Sequence, residues 1–290
     1  MIPARITSAR LFAAFLVVAL AVSSGCGGMG GVGKGTNLEY KMPKKGALAY
    51  RSVSESLQKM SVQGMNMEVT SDKKLVFSVR TKGQEDTDYR LEVTVDSLDV
   101  DMVSMQGNFS ADAAPVLGKS FEMTLSALGV ESDLSGASAL EYEIGMAGKR
   151  SVSAEFQAVF PDLAGRPLEI GGTWTATDTL DIKEGDGDIR VILEQVNTLE
   201  GFETVEGLEC ARISAVVTGT LSGTGEQGGA KLTFNGTFEG TELWHFAHKK
   251  GVLVKSVSES KVVNTVKVTG PQEMEIPVTE TTKSEIVLVK

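Results

Sequence analysis

Few residues in this chain have the chemical type that catalysis or metal binding needs. It has two histidines, His245 and His248. A three-residue spacing would put both on one face of a helix but on opposite faces of a strand. The segment from Leu243 to His248 continues an alternating run and ends in Lys249-Lys250-Gly251, so it reads as strand, with the histidines facing solvent or sitting at a hairpin end. That spacing builds no shared metal site. Ser-His-acid or Cys-His catalysis would have to recruit one of these two, and no nucleophile-elbow pattern supports it. Cys210, between Leu208 and Ala211, reads as a small buried residue rather than a reactive thiol. Asp96, Asp99 and Asp101, and the run Gly185-Asp186-Gly187-Asp188, have the oxygens that calcium prefers, but neither forms a ligand loop closed by a bidentate glutamate. Asp-Gly pairs are ordinary hairpin chemistry. Gly28 to Gly33 followed by Lys34 has P-loop spacing, yet Gly35 replaces the required Ser or Thr, and no strand-loop-helix context surrounds it. Paired-carboxylate hydrolysis has no motif in its favour. The expectation is a non-enzymatic protein without cofactor or metal.

Cys26 is a different case. Arg5 and Arg10 form a positive n-region, Leu11 to Val22 is apolar and uncharged, and Ser23-Ser24-Gly25 are small residues placed for cleavage. The apolar run is too short for a permanent membrane helix, which needs about 20 residues. Cys26 directly after Gly25 resembles the lipobox of bacterial export, in which the cysteine is acylated and the chain is cut before it. Ser23 stands where that motif usually has leucine. The expected organisation is a signal peptide over 1–25, a lipidated Cys26 with a glycine-rich tether over 26–37, and a β-rich domain over 38–290, with a subdomain seam near 149–170. Each buried acyl carbon contributes about 0.8 kcal/mol to anchoring, so the expected partner is a membrane reached through the N-terminal lipid. Gly27, rather than Asp, after the cysteine favours an outer membrane if the cell has one.

Losing Arg5 and Arg10 with the signal would take the net charge from −10 to −12. A chain this acidic lacks the clustered cations that neutralise phosphates, which argues against nucleic acid as a partner. With Cys26 acylated, Cys210 has no partner for an intrachain disulfide.

From Ala47 onward polarity alternates with period two, the mark of half-buried strands. Leu75, Phe77 and Val79 share a face, as do Tyr89, Leu91, Val93 and Val95, then Phe121, Met123 and Leu125, then Ala211, Ile213, Ala215 and Val217. Trp174 alternates with Ala176, Leu180 and Ile182 and reads as a core tryptophan. Turn chemistry separates the runs at Glu206-Gly207, Gly225 to Gly229 and Lys249 to Gly251. This predicts a mainly β fold, a long antiparallel meander forming a curved sheet or partly open barrel. Val152, Phe156, Val159 and Phe160 fall at helical spacing before Pro161 and predict a short helix packed on the sheet, within Lys149 to Phe160. The methionines, concentrated in the first half, read mainly as core fillers.

One strand face suggests a site. Val252, Val254, Ser256, Ser258, Ser260, Val262, Asn264, Val266 and Val268 are small and uncharged. On the preceding strand Gly236 and Gly240 flank Phe238, and interior glycine marks a bend or close approach. A packed core explains such a face, and so does a ligand. The ligand-facing candidates are Val254, Ser256, Ser258, Ser260, Phe234 and Phe238, and the guest they suggest is apolar or lipid.

Phe160-Pro161 and then Pro167-Leu168-Glu169-Ile170-Gly171-Gly172-Thr173-Trp174 resemble a family of uncharacterised bacterial lipoproteins with a Gly-Asp-Thr-Trp-like segment. The resemblance extends loosely over residues 45 to 290, and Gly172 stands where the family often has Asp. It implies a strand-rich C-terminal half and hands on no functional residues. The resulting expectation is a lipid-anchored envelope protein that binds an apolar ligand in a curved sheet. The alternatives are a structural module contacting an envelope protein or polymer, and an envelope hydrolase.

Overall fold

The computed structural model describes residues 35–145, 148–184, 187–227, 229–270 and 273–289. Cys26 and the P-loop-like glycines lie outside them. The alternating runs become fourteen strands in one antiparallel sheet that is not closed into a barrel. The first half contributes β1 (Leu48–Val62), β2 (Met65–Glu85), β3 (Asp88–Ser104), β4 (Gly107–Asp112), β5 (Ser120–Ser126), β6 (Glu131–Ser132), β7 (Glu141–Ile144) and β8 (Gly148–Ser151). The second contributes β9 (Thr173–Glu184), β10 (Gly187–Val205), β11 (Leu208–Gln227), β12 (Ala230–Ala247), β13 (Val252–Thr269) and β14 (Met274–Val289). The sheet order is β8-β7-β4-β3-β2-β1-β14-β13-β12-β11-β10-β9, with β5 beside β3. Two meanders are therefore joined at one seam, where β1 pairs with β14 from Ala49↔Val289 to Met60↔Val278. Two-residue turns at Gln63-Gly64 and Glu206-Gly207 carry the paired positive φ values that tight hairpins need.

Curvature comes from bulges and from glycine. Register shifts interrupt β2–β3 at Val76/Phe77 and Thr81/Gly83, β10–β11 at Leu199/Gly201 and β12–β13 at His245/Phe246. Each such shift bends its strand and increases twist. On the inward face a Cβ on Gly219 would lie 2.4 Å from the Ile192 carbonyl oxygen, and one on Gly236 would lie 2.6 Å from that of Val263. The strands approach so closely there that no side chain fits.

The curled sheet fills its interior with two apolar clusters. One, around Tyr40, Tyr50, Leu91, Phe156, Trp174 and Trp244, joins the sheet to the segments between β5 and β9. The other, built from Val191, Leu221, Phe234, Phe238, Val266 and Val278 with Met60 and Val69, occupies the opposite end. Met60, Met67, Met102, Met123 and Met274 fill these cores as expected, whereas Met65 and Met105 stand exposed at hairpin ends.

The predicted helix is not formed. Residues 148–151 are strand β8, and only Val152–Phe156 make a 3-10 turn, capped by the Ser151 hydroxyl accepting from the Ser153 N–H at 3.1 Å. Its apolar residues are buried as the spacing implied, since Phe156 wedges edge-on between Phe77 and Phe121. Helix nucleation is costly for so short a piece, and tertiary contacts fix a straighter path. This strap, residues 152–161, links β2 to the edge strand β9. Glu155 pairs with Lys73 of β2. The Gln157 amide donates to the Asp181 carbonyl at 3.2 Å and accepts from the Asp181 N–H at 3.1 Å, completing the edge of β9 as a neighbouring strand would. The ordered chain also reaches into the segment expected as tether, because Thr36 and Leu168 exchange backbone hydrogen bonds at 2.7 and 3.0 Å.

Candidate functional site

Between the two apolar clusters the inward face is polar. In one cross-strand row Trp174, Asn197, Ala215, Glu242, Ser258, Ser284, Ser54 and Lys73 stand side by side from β9 to β2. The next row contains Gln195, Val217, Gly240, Ser260, Thr282 and Ser56. Small side chains in this belt leave space, and the strap roofs it. The result is a cavity of about 140 Å³ lined by Ser52, Ser54, Lys73, Glu131, Asp178, Gln195, Glu242, Ser256, Ser258, Ser284, the apolar Leu180, Leu193, Val217 and Ile286, and strap residues from Ala154 to Pro161.

Strand parity places the groups contributed by the long strands, but the cavity's character comes from its acids. Glu242, buried in β12, accepts hydrogen bonds from the Ser256 hydroxyl and from the Gln195 amide at 3.3 Å. Burial pushes its carboxyl up to about 7, against those two hydrogen bonds, and the charge of Asp178 adds to the rise. Glu131 accepts from the Phe160 N–H at 2.8 Å, and burial raises its carboxyl well above the usual range, with Asp178 and Asp162 acting in the same direction. Asp162 is raised to about 6 by burial and by Asp178, and Asp178 itself is raised by burial. One lysine faces these acids, Lys73, and it is held by Glu155. A protonated carboxyl in such a setting donates a hydrogen bond, and an ionised one attracts a cation. A further buried acid, Glu280, lies in the row beyond, where Gln58 donates to it at 3.5 Å and burial raises it to about 7.

Two of the predicted ligand-facing residues, Ser256 and Ser258, are on the cavity wall. Ser260 is buried one row away, beside Gly240 and Thr282. Phe234 and Phe238 are committed to the second apolar cluster and are not on the wall of this cavity. Val254 leaves the predicted face altogether. It is the extra residue of the bulge opposite His245/Phe246, and it packs with Cys210, Ala247 and Val252.

The histidines sit apart from the cavity. His248 is at the hairpin end against Phe202, with Glu209 at 3.8 Å, while His245 is buried rather than solvent-facing, its ring nitrogen 2.6 Å from Glu203. Cys210 is fully buried, and burial pushes its thiol up. Among the described residues no group of three or more His, Cys, Asp or Glu side chains could hold a metal ion. No described helix is long and apolar enough to cross a membrane.

No family model matches the chain, and no curated protein does. Comparison with solved structures gives faint likenesses. OccK2 (OpdF) of Pseudomonas aeruginosa is 8% identical with a TM-score of 0.24, covering 84% of this chain and 98% of that one. A BenF-like porin from Pseudomonas fluorescens Pf-5 is 10% identical with a TM-score of 0.21, covering 84% and 99%. A DUF1329 family protein from Desulfovibrio piger is 11% identical with a TM-score of 0.15, covering 83% and 84%. Superpositions this poor establish no shared architecture, and nothing these proteins do is carried over.

Proposed function

We propose that this chain is a non-enzymatic, lipid-anchored protein of the cell envelope whose β-domain holds a small polar guest between the strap and the inward face of the sheet. The observation that carries this reading is the cavity itself, walled by the Ser256 and Ser258 hydroxyls, the Gln195 amide and the Glu242 carboxyl. The guest is polar rather than the apolar or lipid ligand that the uncharged strand face suggested. Leu180, Leu193, Val217 and Ile286 contribute apolar wall, and the hydroxyls, amide and carboxyls of Ser256, Ser258, Gln195, Glu242, Glu131 and Asp178 are the groups that a guest would have to match. The cavity's volume is well under the roughly 300 Å³ at which drug-sized pockets begin. The anchor rests on the n-region, apolar stretch and Cys26, and Gly27 after the cysteine favours an outer-membrane location where one exists.

Native mass spectrometry of the mature full-length chain, released from membranes in mild detergent, tests both parts. The expected spectrum has an acylated N-terminus and a small polar adduct that a cavity-filling Ser258→Leu variant lacks. An unacylated Cys26 overturns the anchor, and a chain empty of guest in every preparation overturns the site. An envelope hydrolase is the second reading, favoured by carboxyls poised near neutrality at Asp162 and Glu242. Turnover of an envelope ester or glycoside that disappears in Glu242→Gln would replace the first reading with this one.

A further inference from the structure

We propose that the open middle of the β9 edge is a docking site for an extended, basic segment of a partner polypeptide, which joins the sheet as a further strand and turns a lysine or arginine inward onto Asp178. This goes beyond the small-guest reading and stands on the strand edge, not on a free ligand in the cavity.

β9 ends the sheet order, so one of its sides has no neighbouring strand. Its pairing with β10 runs without a bulge from Thr173↔Thr198 to Glu184↔Gly187. Along such a strand the backbone groups of alternate residues point to opposite sides. Two contacts show which set points away from β10. The Arg166 guanidinium donates to the Thr173 carbonyl at 2.5 Å, and the Gln157 amide bonds both the carbonyl and the N–H of Asp181. Thr175, Thr177 and Thr179 share that phase and are exposed, and among the described residues their backbone groups have no partner on the free side. The edge is therefore capped at both ends and open between them. Native edges are blunted by proline, lysine or bulges, and Thr175 to Thr179 has none of these. Its one guard is an acid of inward phase, Asp178.

That acid selects the occupant. Asp178 is on the cavity wall, and its charge raises the carboxyls of Glu131, Asp162 and Glu242. The one cation on the wall, Lys73, is already paired with Glu155. Because the backbone groups of Asp178 serve β10, a residue opposite it on an added strand forms a non-hydrogen-bonded pair. Such pairs bring Cα atoms to about 4.5 Å and side chains closest together. A cation there relieves the acids, and an acid there adds to them. A second copy is a poor occupant: paired across the same three threonines, it sets Asp178 against Ala176 and brings another Asp178 to the diagonal position.

The test uses the mature full-length chain in mild detergent, made with isotope-labelled threonine so that NMR reads its threonine amides. The probe is acetyl-Thr-Lys-Thr-Val-Thr amide, whose lysine falls opposite Asp178 when its threonines pair with Thr179, Thr177 and Thr175. Two control peptides replace the lysine by glutamate or place N-methyl groups on the three threonines. The lysine peptide is expected to shift the amides of Thr175, Thr177 and Thr179, slow their hydrogen exchange, and leave Thr220 and Thr237 on β11 and β12 unmoved. It should bind at least tenfold more tightly than the glutamate peptide, and the N-methylated peptide should not bind. Asp178→Lys should reverse the preference between lysine and glutamate. Thr177→Pro removes an N–H on the free side and no bond to β10, so it should keep the circular dichroism of the wild type and lose the peptide. Equal binding of the lysine and glutamate peptides, undiminished binding after N-methylation, shifts that miss β9, or no binding at all overturns the inference. Concentration-dependent shifts of the same amides without peptide would make the occupant a second copy, and overturn it too.

Discussion

Replacing Glu242 by glutamine should make the protein more stable above neutral pH. The carboxyl ionises at 4.5 in the unfolded chain and at about 7 in the folded one, because burial disfavours its charge. Between those values the folded chain holds a proton that the unfolded chain has released, so stability is greatest below the window and falls through it as pH rises. The penalty is complete above about pH 7 and amounts to about 3 kcal/mol for this one group. Glutamine is the shape of the protonated acid: it can still accept from Ser256 and Gln195 and never needs to lose a proton. Urea unfolding of the two chains at intervals from pH 4 to 8.5, followed by the fluorescence of the buried Trp174 and Trp244, measures the difference directly. The variant should match wild type near pH 4.5 and exceed it by about 3 kcal/mol at pH 8, with a correspondingly shallower pH dependence. A variant that is equally or less stable at pH 8, with the slope unchanged, would refute the claim that Glu242 is ionised at a cost inside the belt.

Other perturbations test the frame around it. Phe156→Ala removes the ring held between Phe77 and Phe121 at centroid distances of 5.1 and 4.9 Å; a loss of about 3–5 kcal/mol is expected in the same unfolding assay. Gly219→Ala forces a methyl to within 2.4 Å of the Ile192 carbonyl and should cost about 1–3 kcal/mol, whereas alanine at any ordinary strand position would stabilise. Gln157→Ala removes both hydrogen bonds to Asp181. It should cost about 1 kcal/mol and speed hydrogen exchange at the Asp181 amide selectively. Cys26→Ala should abolish incorporation of labelled fatty acid and move the protein from the membrane to the soluble fraction.

The strands were legible because one physical rule, burial on alternate residues, governs the long strands from β1 to β3 and from β9 to β14. Tyr89, Leu91, Val93 and Val95 are inward as their alternation demanded, and so are Ala211, Ile213, Ala215 and Val217. The cavity was legible too, in places where the rule is broken. Asp178 interrupts the inward series Trp174, Ala176, Leu180, Ile182; Gln195 and Asn197 interrupt Ile189, Val191, Leu193, Leu199; Glu242 falls between Gly240 and Trp244. Each is a polar residue at an apolar phase, and only the sheet register shows that they meet. Glu131 was not legible, since β6 is two residues long and has no period to read. Val254 was misplaced because a bulge shifts parity without any mark in residue type. The strap was misread because a helical spacing of apolar residues fixes which side chains are buried, while the chain's course there is set by the partners that Glu155 and Gln157 reach.

The pairing of β1 with β14 places the two ends of the domain side by side in the middle of the sheet. Neither meander can complete its inward wall alone, because the belt needs Ser54 from one and Ser258 and Ser284 from the other. The sixteen residues of β14 close the sheet between β1 and β13 and so join the two meanders. Such long-range closure is slow. For the exported lipoprotein proposed above, this delay would keep the chain threadable while it crosses the membrane.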